Sequence, residues 1–202
     1  MVGSYFPFPF FMKNFVTLAL FGLTVGAAQA QTTPLTKGRG LLSGSIGYHH
    51  ESYDTRNKLD IFNLSPSVGV FVADNLLLGI NANLTLTGSS YSGYNIPDLD
   101  GPSLAIGPFA RYYRFVGGDK FALFGEGGIG YIHNSNSYYS AKLNQGYVAI
   151  TPGLAFFPVP RFGIEASLRG LNYATNFDNS STLDLGFSLR NFQLGAAYYF
   201  GK

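Results

Sequence analysis

The sequence predicts an all-β protein, an eight-stranded antiparallel up-and-down transmembrane β-barrel. Three features of the 202 residues support this fold class. Charged side chains are scarce while aromatic ones are abundant. Long runs of residues alternate between apolar and polar at every step, as one-sided strands do. A unit made of a strand, a turn and a second strand then recurs along the chain.

The composition is unusual for a protein that must cover its surface with polar groups. Only 12% of residues are charged, about half the usual share, while 16% are aromatic and 26 residues are glycine. The formal net charge of +2 is too small to indicate a nucleic-acid partner. The chain has no cysteine, which excludes a disulfide framework, a thiolate metal site and a cysteine nucleophile.

The first thirty residues resemble an export signal. A basic stretch at 12–14 precedes an apolar run at 15–27, and an Ala-Gln-Ala sequence that ends at Ala30 has the pattern of a cleavage site. The apolar run is shorter than the ~20 residues that a helix needs to cross a bilayer. The sequence therefore predicts a cleavable signal peptide over residues 1–30.

The mature domain is predicted to span residues 31–202, beginning at Gln31. Residues 1–11 contain no basic residue and fit no part of a signal peptide, so we expect translation to begin at Met12. No later apolar run approaches the length of a helical membrane span. If the domain crosses a membrane, it must do so with strands.

The individual strands are read from alternation. In residues 78–87 every second residue is apolar and each residue between is glycine or polar, without an exception. Residues 42–49, 164–169 and 183–190 show the same pattern. About ten tilted residues are enough for a strand to cross a bilayer. These runs are therefore predicted to carry one face toward lipid and one toward the barrel interior.

Three prolines mark the repeated hairpins. Pro66, Pro108 and Pro152 each stand inside an apolar segment that leads into a turn and a second strand. With a first strand at 40–53 and a last at 183–200, the three hairpins make eight strands. A barrel has no free edge where a missing N–H is harmless, so each proline is predicted to mark a bulge or a strand start.

Longer polar stretches separate the hairpins, at residues 54–59, 88–101, 134–142 and 174–181. Short turns at one rim and long loops at the other are typical of membrane barrels, whose short turns face the periplasm. Four loop tyrosines are predicted to contact a surface partner or glycan, or else to anchor the rim at the headgroups: Tyr91, Tyr94, Tyr138 and Tyr139.

Several segments resemble the small outer-membrane β-barrel family of Gram-negative bacteria, the OmpX-like and OmpA-transmembrane-like barrels. They are FVADNL at 71–76, PGLAFF at 152–157, FGIEAS at 162–167 and LGAAYYF at 194–200. The resemblance is one of pattern and spans residues 31–200. It implies an outer-membrane address, but it implies no particular activity.

The resemblance also implies partners. These are membrane lipid, lipopolysaccharide and, during insertion, the β-barrel assembly machinery, with a further partner possible at the surface loops. The family usually ends on an aromatic residue that the assembly machinery reads, whereas Gly201 and Lys202 follow Phe200 here. We expect a non-enzymatic structural or interaction protein with no cofactor and no nucleic-acid partner.

The polar faces of the strands carry the candidate site residues. They are Arg111, Glu126, Glu165, Arg169 and Asp184. Because an eight-stranded barrel is just wide enough for side chains to fill it, these residues are predicted to form an ion-pair network in the lumen. Counting across the turn at Gly117 places Arg111 opposite Gly125, one step from Glu126. The alternative is a narrow channel for ions or small solutes.

Two further patterns suggest chemistry only weakly. His133 and Ser135 stand in a segment similar to the His-x-Ser-Asn of outer-membrane lipid A deacylases, in which histidine activates serine. Residues 137–163 contain no carboxylate to orient that histidine, so an esterase is the less favoured alternative. His49 and Glu51 share a strand face, but two ligands make a weak metal site. The sequence thus predicts no catalytic residue and no metal.

Overall fold

A computed structural model describes residues 35–54, 57–91, 94–95, 101–134, 144–177, 181–186 and 191–201. These residues form a closed antiparallel β-barrel of eight strands, which confirms the predicted fold class. The signal peptide predicted at 1–30 lies outside the described residues and stays a prediction. Within the described ranges, no helix is long and apolar enough to cross a bilayer.

The wall contains these strands: β1 Gly40–Asp54, β2 Asn57–Ala73, β3 Leu76–Tyr91, β4 Tyr94–Asn95, β5 Gly101–Phe115, β6 Phe121–Asn134, β7 Gln145–Val159, β8 Phe162–Ser167, β9 Leu171–Thr175, β10 Ser181–Leu185 and β11 Gln193–Phe200. We call each of the eight strands that make up the wall a stave, whether it is continuous or interrupted. Strands β8 and β9 together form the seventh stave, and β10 and β11 form the eighth. The two-residue β4 only extends the loop end of β3.

Each stave pairs with its neighbours in the sequence, and the ring closes between the first stave and the last. Gly40 of β1 lies opposite Phe200 of β11 and Ile46 lies opposite Leu194. On its other side β11 pairs with β8, which in turn pairs with β7. Turns of two to five residues join β2 to β3, β5 to β6 and β7 to β8 at one rim. We call this the short-turn rim, and the opposite rim the loop rim.

The outside of the wall is apolar. Exposed outward residues include Leu42, Ile46, Val68, Ile80, Ile106, Ile129, Ile150 and Leu194. Near the short-turn rim the outward positions become aromatic, at Tyr112, Phe121, Phe162, Tyr198 and Phe200. An apolar belt edged by aromatic side chains is the surface that a transmembrane barrel presents to lipid. Of these residues, Leu42, Ile46 and Ile80 lie in the runs whose period of two predicted an outward apolar face.

The three prolines lie within strands and point outward, so none of them starts a strand. Pro66 opposes Gly44, and Pro108 opposes Ile80. Pro152 stands next to a bulge in the seventh stave. Gly153 pairs with Ser167, but Ile150 pairs with Leu171, so the stave has one residue more than β7 between these two pairs.

The bulge interrupts a strand that the sequence predicts as continuous. Leu168 N donates to Pro152 O at 3.1 Å, and Gly170 N donates to Ile150 O at 3.0 Å. Proline has no N–H to return a bond to the neighbouring strand. The ladder is therefore locally irregular at Leu168, Arg169 and Gly170. The last predicted strand is also divided, into β10 and β11, with residues 187–190 outside the described part of the chain.

The barrel has a hydrophobic core inside its short-turn half. We call this cluster the lumen floor: Leu35, Leu41, Phe71, Leu77, Phe109, Tyr113, Ala122, Phe124, Ala155, Phe157, Ala197 and Tyr199. Two inward glycines make room for its rings, because a Cβ at Gly153 would collide with Phe124 and one at Gly79 with Phe109. Leu35 enters from the chain before β1. Its carbonyl accepts the N–H of Asn75 at 2.9 Å.

The two faces of β3 give the first prediction. Leu84 lies between Leu64 and Leu104 on the lipid face, while the Thr85 hydroxyl donates to Asn63 inside the barrel. We expect Leu84→Arg to lower the free energy of unfolding by about 2–4 kcal/mol, because it places a charge in hydrocarbon. The matched variant Thr85→Arg keeps its charge among polar groups. Denaturant titrations in bilayers that rank Thr85→Arg as clearly worse would show that the faces are inverted.

Candidate functional site

The register between β5 and β6 places the candidate charges opposite each other. Arg111 pairs directly with Glu126, and Tyr112 pairs with Gly125. The expectation that Arg111 faces Gly125 is therefore wrong by one residue. The turn is a four-residue loop, since Val116 N donates to Phe121 O at 2.9 Å. Two consecutive glycines with positive φ, Gly117 at 66° and Gly118 at 122°, allow that loop to be tight.

Arg111 binds Glu126 with two of its nitrogens. Nε donates to Glu126 Oε2 at 2.7 Å, and Nη2 lies 2.6 Å from the same oxygen. The other carboxylate oxygen, Oε1, accepts the Nδ2 of Asn81 at 3.2 Å. Arg111 is only 7% exposed. Charge-assisted hydrogen bonds of this kind are among the stronger polar contacts in a protein interior.

The remaining Arg111 terminal nitrogen reaches across the lumen. Nη1 donates to Glu165 Oε2 at 2.9 Å and to the Tyr113 hydroxyl at 2.9 Å. Glu165 Oε1 accepts the hydroxyls of Tyr113 and Tyr199, each at 3.1 Å. Both oxygens of this buried carboxylate are thus hydrogen-bonded. We call Arg111, Glu126 and Glu165 the charge cluster.

The charge cluster rests on the lumen floor. The guanidinium carbon of Arg111 is 4.6 Å from the centre of the Phe124 ring and 5.5 Å from that of Phe109. A cation over an aromatic face is attracted by the ring quadrupole. Side chains from β5, β6 and β8 therefore close the lumen together, with an aromatic layer below a fully hydrogen-bonded layer of charge. This supports the hypothesis that side chains fill the lumen.

The other two candidate residues lie apart from the charge cluster. Asp184 faces inward on β10 opposite Asn172, but it is exposed. Arg169 lies in the bulge of the seventh stave and lines the space above the cluster. Among the described residues, no carboxylate lies within 4.0 Å of Arg169, and Asp184 has no ion-pair partner within that distance.

The lumen above the charge cluster contains a cavity of about 300 Å³, which we call the vestibule. One wall, formed by β1, β2 and β3, presents hydroxyl and amide groups: Ser43, Ser45, Ser65, Ser67, Asn81, Asn83 and Thr85. The opposite wall combines the small residues Ala105, Gly128 and Ala149 with Ile132, Tyr147 and Thr151. The Tyr147 hydroxyl donates to Asn81 Oδ1 at 3.4 Å. The polar groups also bond to one another, as when Thr85 Oγ1 donates to Asn63 and to Asn83 at 2.9 Å each.

The structure offers little support for the two weaker chemical patterns. His133 is exposed on the outer face, and its Nδ1 lies 2.9 Å from Asn144 Oδ1, not near a carboxylate of the described residues. Ser135 lies outside those residues. His49 Nε2 is 3.7 Å from Glu51. The described part of the chain holds no group of three or more histidine or acidic residues that could bind a metal.

Two of the four loop tyrosines lie within the described residues. The backbones of Tyr91 and Tyr94 pair across the β3–β4 turn, while Tyr138 and Tyr139 lie outside the described residues.

The lumen floor, which supplies most of the buried apolar surface, was not predicted from the sequence. A signal for it does exist. Tyr112–Tyr113, Phe156–Phe157 and Tyr198–Tyr199 are adjacent aromatic pairs, and in a strand two neighbours cannot both face lipid.

Solved structures that are similar to this chain include three outer-membrane proteins. The outer membrane protein OprG from Pseudomonas aeruginosa matches with a TM-score of 0.51 and 12% identity, covering 84% of this chain and 100% of OprG. The N-terminal β-barrel domain of Pseudomonas aeruginosa OprF matches with a TM-score of 0.47 and 14% identity, covering 82% and 98%. Yersinia pestis Ail in a phospholipid bilayer nanodisc matches with a TM-score of 0.44 and 20% identity, covering 81% and 99%.

No protein-family model and no curated protein sequence matches the chain. The structural likeness to OprG is one of fold, since few residues are identical. The chain has the fold of the small eight-stranded outer-membrane barrels.

The charge cluster gives the second prediction. Among the described residues, Arg111 is the cation that bonds both Glu126 and Glu165. We expect Arg111→Met to lower the free energy of unfolding by about 3–5 kcal/mol, because it leaves these buried carboxylates unpaired. Glu126→Gln and Glu165→Gln should each couple to Arg111→Met by more than about 1 kcal/mol in double-mutant cycles measured in bilayers. Asp119→Asn, in the exposed turn, is the control. If neither glutamate couples to Arg111→Met more strongly than Asp119→Asn does, the charge cluster does not stabilise the barrel.

Proposed function

We propose that this protein is a non-enzymatic outer-membrane protein, a closed barrel that serves as a scaffold for interactions at its loop rim. The observation that carries the proposal is the closure of the lumen by the floor and the charge cluster. Tyr113 and Tyr199 are both fully buried, and Arg111 and Glu165 are each 7% exposed. A lumen closed at this level leaves the two rims and the vestibule as the surfaces available to partners.

The orientation of the barrel follows from its two rims. The short-turn rim is proposed to face the periplasm and the loop rim the cell surface. The loop rim has the longest connections, from β3 to β5 and from β6 to β7, although the stretch 54–59 predicted as a loop leaves only two residues between β1 and β2. The apolar belt between them suits membrane lipid and lipopolysaccharide as partners. The outward Phe200 at the end of β11 is proposed as a contact for the β-barrel assembly machinery.

A small-solute or ion channel is the second candidate, and the vestibule is the observation that favours it. The vestibule is bounded by Arg111, Glu126 and Glu165 of the charge cluster, below which the lumen floor lies. Passage would require the cluster and the aromatic rings below it to move apart. We therefore place the closed scaffold first.

The third prediction distinguishes these candidates in planar bilayers. The wild-type protein is expected to show no steady ion conductance, whereas the double variant Tyr113→Ala with Tyr199→Ala, which removes two rings of the floor, should conduct. Tyr112→Ala with Tyr198→Ala is the matched control, because these neighbours face outward and are 56% and 48% exposed. Wild-type conductance equal to that of the inward double variant would favour the channel.

The fourth prediction tests address and orientation. Because the chain lacks cysteine, single cysteines can be introduced without a background. Lys58→Cys lies at the exposed loop end of β2, and Lys120→Cys lies in the exposed turn before β6. On intact cells a membrane-impermeant maleimide should label Lys58→Cys only, and after lysis it should label both. Labelling of Lys120→Cys alone on intact cells would invert the barrel, and labelling of neither would contradict surface exposure.

A further inference from the structure

We propose that the vestibule is a binding site for a small, polyhydroxylated carboxylate, such as a sugar acid, whose carboxylate is held by Arg169. The inference rests on the proposed function in one respect: the lumen is closed below the vestibule, so a small molecule that enters the vestibule can bind there but cannot pass through. Its support comes from the bulge, the charges and the uncharged donors around Arg169.

Arg169 lies in the bulge of the seventh stave and lines the vestibule in the same phase as Ser167, two residues before it. Ser167 and Asn172 both line the cavity although they are five positions apart, an odd separation that regular alternation would send to opposite faces. The extra residue between the pairs Gly153–Ser167 and Ile150–Leu171 accounts for this change of phase. Bulges often redirect a side chain at functional sites. Here the bulged segment contains a cation, Arg169.

Arg169 interacts electrostatically with Asp184 on β10, but from beyond ion-pair distance, so its N–H groups remain available to an anion. The carboxylates of Glu126 and Glu165 are both engaged by Arg111, at 2.6 and 2.9 Å. No described carboxylate lies within 4.0 Å of Arg169, and Asp184, the inward acid on the neighbouring β10, is exposed. A guanidinium group can bind a carboxylate through two parallel hydrogen bonds. A ligand carboxylate is the natural partner in this position.

Uncharged polar side chains surround the same position. Ser167, Asn172, Asn191 and Gln193 line the vestibule beside Arg169. Gln193 Oε1 accepts the hydroxyls of Ser45 and Ser65, at 2.8 and 3.4 Å, so that its amide nitrogen is the group left to donate. Hydroxyl and amide groups recognise ligand hydroxyls because they both donate and accept.

The shape of the vestibule limits the ligand to a small one. A volume of about 300 Å³ lies at the lower end of the range for ligand sites and is equivalent to about ten water molecules. The small residues Ala105, Gly128 and Ala149 leave space beside Tyr147, which bonds across the lumen to Asn81. The wall of serine, asparagine and threonine provides hydroxyl and amide partners. Glu126 at the base disfavours a second anionic group. A single monosaccharide ring with one carboxylate fits these conditions.

The test compares glucuronate with glucose, which differ only in the carboxylate, on the full mature protein in nanodiscs. We expect saturation-transfer NMR and calorimetry to show glucuronate binding at least tenfold tighter than glucose. Arg169→Gln should abolish this preference and leave the weak glucose signal unchanged. The control Arg161→Gln, in the exposed turn between β7 and β8, should bind as the wild type does.

Folding of each variant is checked by its migration on gels before and after heating. If Arg169→Gln fails to fold, Arg169→Lys serves instead, since it keeps the charge but loses the paired geometry and should weaken glucuronate binding severalfold. Equal binding of glucuronate and glucose by the wild type, or a glucuronate affinity that Arg169→Gln does not change, would overturn the proposal. Conductance is measured separately, so an open lumen would contradict the scaffold function without deciding whether glucuronate binds.

Discussion

The structure depends on one constraint: every backbone N–H and C=O of the wall that faces lipid must find its partner within the wall. The ring meets this constraint by pairing β1 with β11, from Gly40–Phe200 to Ile46–Leu194. Once the ring is closed, each stave has one side toward lipid and one toward the lumen. The apolar belt, the aromatic edge and the polar interior are consequences of that division.

Within the lumen, Arg111 separates two environments. Below it the side chains are aromatic and aliphatic, and above it they are hydroxyls and amides around the vestibule. The guanidinium suits this boundary, because its faces lie against Phe124 and Phe109 while its edge binds Glu126 and Glu165. A buried charge of this kind is tolerated only when its hydrogen bonds are satisfied. Three staves must therefore keep their relative positions for the floor to stay closed.

Irregularity in the wall also has a physical origin. Pro152 cannot donate a hydrogen bond to the seventh stave, and the stave bulges beside it. The regular backbone hydrogen bonding is lost only at this bulge. The lumen is nevertheless affected, because the phase of the inward side chains changes between Ser167 and Asn172. The same local defect thus changes which residues line the vestibule.

Period-two alternation, which is local, was sufficient to predict the strands, the outward apolar set from Leu78 to Leu86, and the inward phase of Arg111, Glu126 and Glu165. Adjacent aromatic residues such as Tyr112–Tyr113 also indicate the lumen floor, because one of the two must point inward, but alternation of apolar and polar residues alone does not predict it. Only the tertiary structure decided which inward groups meet. Arg111 and Glu165 are 54 residues apart and come together because the ring closes and staggers. The one-residue register at Glu126, the entry of Leu35 and the bulge at Arg169 likewise depend on loop geometry and on neighbouring staves, because a strand's own sequence specifies where a side chain points but not what lies across the lumen from it.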